Sequence, residues 1–125
     1  MCDCSEKVEP QNYKNQVSVY STLLNKEILI DKCLESEIRY LWSLGIKTTG
    51  CCCGHNILMP YIGVEKEEIK KMIKLGYNIQ FNINGLYNFN RMDSFYPKTI
   101  KIEYKQYENY YKHLKDILKN IKGGN

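Results

Sequence analysis

The rhythm of apolar and polar positions shifts along this chain, and each shift marks an element. Residues 1–15 are polar, aperiodic and include Pro10, which predicts a flexible N-terminal arm unless Cys2 and Cys4 are tied to a metal. Residues 17–20 and 27–30 read as short strands around Asn25-Lys26, the pattern of a hairpin. Asp31 stands where a helix N-cap belongs. Leu34, Ile38, Leu41 and Trp42 then recur at helical spacing until Gly45, which predicts an amphipathic helix over 32–44.

Thr48 and Thr49 favour an extended chain over 46–52, and Tyr61 to Val64 follows Pro60 as another short strand. Glu65, Glu67 and Glu68 open a further helix, where the macrodipole favours acid; Ile69, Met72 and Ile73 give its stripe and Gly76 ends it near residue 75. In 77–97, Ile79, Phe81 and Ile83 alternate with amides up to Asn84-Gly85. That spacing favours a hairpin with a two-residue turn, with a long binding loop as the competing reading. Ile100 and Ile102 alternate within a strand-like stretch over 99–104. Tyr104, Tyr107, Tyr111, Leu114, Leu118 and Ile121 recur at three and four residues, which predicts an amphipathic helix over 105–122. Its seam is expected to pack on the sheet, or else on a second copy as a homodimer.

The expected architecture is therefore α+β: a small mixed β-sheet covered by about three helices, forming a single domain over 16–125. At 125 residues such a domain buries a modest core without disulfides. No run reaches the roughly 18 apolar residues of a membrane span, and the N-terminus lacks the layout of a signal peptide, so the expected location is cytoplasmic with no membrane partner.

Charge adds one detail. The net +4 comes from the C-terminal segment, where seven lysines face Glu103, Glu108 and Asp116. A solvated helix face explains them; weak nucleic-acid binding is the alternative. The aromatics around Tyr87, Phe89 and Phe95 fit core packing or the stacking of a nucleotide base.

Chemistry concentrates in Gly50-Cys51-Cys52-Cys53-Gly54-His55, with Cys33 upstream. Reduced cytoplasmic thiols in such a cluster point to metal or redox use rather than to a disulfide framework. If strands 27–30 and 46–52 run parallel in one sheet across a right-handed crossover, their ends share an edge and bring Cys33 to the Cys52-Cys53 turn. Gly54 would let His55 fold back toward the thiols. The simplest assignment is a zinc site of Cys33, Cys52, Cys53 and His55. Cys51 shares a face with Cys53 in an ideal strand, and Cys2 and Cys4 are further candidate ligands. Two other readings compete: buried cysteines that only fill the core, and a thiol enzyme or redox sensor using Cys52 or Cys53 with His55. His113 reads as a surface residue of the last helix.

Asp31-Lys32-Cys33 before a helix, with Gly45-Ile46-Lys47-Thr48 leading into Cys52-Cys53-Gly54-His55, resembles small uncharacterised proteins of Firmicute genomes and their phages. The likeness covers about residues 28–76. This chain departs from that pattern in carrying Cys51, and Asn56 in place of a frequent glycine. The resemblance implies the same four site residues and a phage or mobile-element origin, and brings no activity with it. The expected function is a small zinc-binding interaction or adaptor protein whose partner is a host protein or a small nucleotide.

Overall fold

A computed structural model describes residues 7–9, 12–13, 16–54, 59–80 and 93–123. Within the N-terminal arm, β1 (Lys7–Glu9) pairs antiparallel with β2 (Asn12–Tyr13). The expected hairpin follows as β3 (Gln16–Ser21) and β4 (Lys26–Asp31), paired in unbroken register from Gln16 opposite Asp31 to Ser21 opposite Lys26. Its turn closes through Asn25, which takes φ of 56°, a conformation asparagine tolerates better than most side chains.

The expected helix over 32–44 divides in two. Residues Lys32–Leu34 make a single 3-10 turn, and α1 runs Glu35–Ser43. Asp31 holds the extended N-cap backbone, but its side chain makes no cap hydrogen bond. Glu65 repeats this arrangement before a second 3-10 turn, Lys66–Glu68, and α2 (Ile69–Lys74). Between the helices lie β5 (Thr48–Cys52) and β6 (Tyr61–Val64), joined farther on by β7 (Ile79–Gln80) and β8 (Ser94–Phe95) in a four-stranded sheet of order β5-β6-β8-β7. The Asn84-Gly85 turn lies outside the described residues. The last described element is α3 (Tyr104–Gly123).

The α+β class is as expected, but the sheet arrangement differs. Every ladder among the described residues is antiparallel, and β4 does not pair with β5. The two strands lie side by side, and a cleft of about 520 Å³ opens between them, lined by Lys26, Ile28, Lys47 and Thr49 among others. Their ends are joined where the backbone N–H of Cys53 donates to Asp31 Oδ2 at 2.9 Å. A side chain supplies the link that a parallel ladder would have made with backbone.

One apolar cluster joins the β3–β4 hairpin to the four-stranded sheet, α1 and α2: Val19 and Ile30 from the hairpin, Leu34, Ile38 and Leu41 around α1, and Ile62, Val64, Met72 and Phe95 beneath them. Residues 99–103 are not the expected strand. Glu37 on α1, 5% exposed, claims their first donors: Lys98 N–H at 2.8 Å, Thr99 N–H at 3.1 Å and the Thr99 hydroxyl at 2.6 Å. The Tyr77 hydroxyl adds a fourth bond at 2.6 Å. Donors committed to a carboxylate cannot also enter a β-ladder.

Burial pushes the Glu37 pKa up, but these hydrogen bonds outweigh burial and leave it below the ordinary 4.5. Because the folded value is depressed, this contribution to stability is complete above the unfolded glutamate range and fades as pH falls through the folded pKa. Glu37→Gln should cost about 2–3 kcal/mol at neutral pH. In urea titrations, the deficit against wild type should shrink progressively below about pH 4. A constant deficit down to acid pH would show that Glu37 acts through shape alone.

Candidate functional site

The site is built where β4 and β5 end. Asp31, the last residue of β4, is 3% exposed and turned into the protein. The chain reverses just past Cys53 through Gly54, which adopts φ of 78°. A Cβ at Gly54 would stand 3.0 Å from Gln106 Nε2 and 3.1 Å from the Pro60 nitrogen, so both the backbone angle and the space require glycine there.

Three consecutive cysteines face three environments. Cys53 is 1% exposed and part of the core; Cys51 is half-buried and packs against that core. Cys52, also half-buried, accepts the Gly54 N–H on its sulfur at 3.3 Å and lies opposite Tyr61 in the β5–β6 ladder. Cys33 sits half-buried on the 3-10 turn that follows Asp31 and also packs against the core.

The structure thus gathers Cys51, Cys52 and Cys53 about Asp31 and sets Cys33 on the turn two residues beyond it. His55 lies outside the described residues. Among the described residues, no three histidine, cysteine, aspartate or glutamate side chains stand as a ready-made ligand set. His113 is exposed on α3, as expected, beside a cavity shared with Met59, Gln80, Asn109 and Tyr110.

Two residues of the site carried little signal in the sequence. Asp31 was legible as a helix cap, yet it serves the far side of a crossover; its place in Asp-x-Cys was the available clue. Gln106, 1% exposed, reaches the Gly54 turn from the first turn of α3, and its Oε1 accepts the Glu103 N–H at 2.8 Å. Glu103-x-x-Gln106 has the spacing in which a side chain at the third helical position returns to the cap nitrogen. That spacing could have marked the helix start, but not the contact with the cysteine turn.

The electrostatics are those of protonated thiols. Burial is the main cause that pushes Cys51 up to about 12, with the Asp31 carboxylate and the two neighbouring thiols adding to it. For Cys52, burial again leads, the Gly54 N–H opposes it, and the charge of Asp31, Cys53 and a hydrogen bond to Asp31 bring it to about 11. Tyr61 is raised by burial and by the same thiols and carboxylate. Activated cysteines are instead found in electropositive surroundings.

Compared with protein-family models, with curated proteins and with solved structures, this chain matches none. Among the described residues, no helix is long and apolar enough to cross a membrane.

In protein stripped of metal, Cys51 and Cys52 should react with iodoacetamide at about pH 8 at least roughly tenfold more slowly than an unstructured cysteine. The rates, resolved by peptide mass spectrometry, should rise steadily with pH and level off only above about 11 for Cys52, and later still for Cys51. Rapid labelling of Cys52 near neutrality would favour the thiol-enzyme reading.

Proposed function

We propose that this chain is a small zinc-binding interaction protein, with the ion held by Cys33, Cys52, Cys53 and His55, and with a host protein or a small nucleotide as its target. The observation that carries the reading is the bond from the Cys53 N–H to the buried Asp31 carboxylate. It ties the end of β5 to the start of the turn bearing Cys33, which supports a site drawing on both segments. Thiolate and imidazole are the usual donors of structural zinc. The carboxylate makes the neighbourhood electronegative, which favours a divalent cation and, once the cation is present, ionised thiols.

Zinc at this place would pin the crossover at the point where backbone pairing is absent, and the folded domain would present its surfaces to the target. A mobile-element origin is supported by the motif likeness alone. Binding of an ion to such a site contributes directly to folding.

Protein purified under reducing conditions without added metal should carry about one zinc per chain by elemental analysis. Cys53→Ser should lose that zinc and lower Tm by about 10 °C. Cys2→Ser and Cys4→Ser should change neither quantity. Metal-free protein from such a preparation, or a Cys53→Ser variant with unchanged zinc and melting, would overturn the assignment.

A further inference from the structure

The apolar seam of α3 faces solvent. Tyr104, Tyr107, Tyr111 and Leu118 are 77%, 36%, 57% and 43% exposed, and Leu114 is half-buried between them. The residues that anchor α3 to the domain, Gln106 and Tyr110, lie roughly 100° around the helix from that seam. The helix is thus held by one face while Tyr104, Tyr107, Tyr111 and Leu118 are left exposed on another. Tyr107 and Tyr111 stack within it, with centroids 6.5 Å apart, so part of the seam is already ordered.

The seam follows alternate steps of three and four residues, the a and d positions of a heptad, with Tyr104, Tyr111 and Leu118 at a and Tyr107 and Leu114 at d. This register places the exposed residues Glu108 and Lys115 at successive e positions. In an antiparallel pair of identical helices, e positions face e positions across the two-fold axis. Glu108 then meets the partner's Lys115, and Lys115 meets the partner's Glu108, satisfying both pairs at once. A parallel pair would bring Glu103, the cap residue just before α3, toward the partner's Glu108 at e, like charge near like.

We infer that α3 is a self-association surface that takes a second copy of this chain in antiparallel orientation, with the Tyr104 to Leu118 seam buried between the copies and Glu108 paired to the partner's Lys115. Such a pairing rests on the α3 seam and its charges and needs no metal at the cysteine cluster. The interface is isologous and leaves no open end for further growth.

Sedimentation equilibrium of the full chain over about a hundredfold range of concentration tests this. Wild type should fit a monomer–dimer equilibrium, and Tyr111→Lys, at an exposed position, should be monomeric and melt where dilute wild type melts. Glu108→Lys and Lys115→Glu should each weaken dimerisation about tenfold, since each turns two attractions into two repulsions. The double swap should return it to near the wild-type value. A chain that stays monomeric throughout overturns the proposal. So does tighter dimerisation of Glu108→Lys, the outcome a parallel pair requires, or a Tyr111→Lys variant that still dimerises.

Discussion

Buried carboxylates take over where backbone pairing stops, and the rest of this fold depends on that substitution. Asp31 receives the Cys53 N–H, Glu37 the N–H groups of Lys98 and Thr99, and Glu68 the N–H of Lys47 at 2.6 Å. Each acid sits in or beside the opening turns of a helix, and each captures a segment that no strand ladder has claimed. A buried donor without an acceptor costs about 1–3 kcal/mol, so these contacts decide whether the loops between elements can be buried at all. A charged acceptor is also the stronger kind, and here it is shielded from the water that would screen it. The hairpin, the four-stranded sheet, α1 and α2 are joined partly by apolar packing and partly by these three anchors.

This arrangement explains which elements could be read from the chain. The Val17 to Ile30 hairpin, the Leu34 to Trp42 stripe and the Tyr61 to Val64 strand are visible because their information is local: alternation, helical spacing and a glycine stop. The 99–104 stretch misled because its alternation of Thr99, Ile100 and Ile102 is that of a strand, while its fate is set by Glu37, 62 residues earlier in the chain. Parallel pairing of β4 with β5 was a topological expectation of the same kind. The strands do approach, but a side-chain bridge and a cleft replace the ladder.

The site was partly legible for the same reason. Cys33, Cys52 and Cys53 announce themselves by residue type, and Gly54 by its place in the turn. Asp31 looked like an ordinary cap because the sequence around it is that of an ordinary cap: an acid, a strand before it and a helix after it. Its second role depends on the crossover returning β5 to the same edge. Gln106 is harder still, since nothing near position 106 refers to Gly54. The contact exists because Gly54 has no side chain, and the space that frees is what Gln106 fills.

The chain has a single tryptophan, Trp42, whose indole N–H donates to Thr48 Oγ1 at 2.9 Å. Indole emission shifts with local polarity and with hydrogen bonding to the ring nitrogen. With no second tryptophan to dilute it, the signal belongs to the junction of α1 and β5. Thr48 begins the strand that ends in the cysteines, so strain or slippage along β5 passes directly to the fluorophore's acceptor. The molecule therefore carries its own optical gauge of that strand, without a label and without disturbing any thiol.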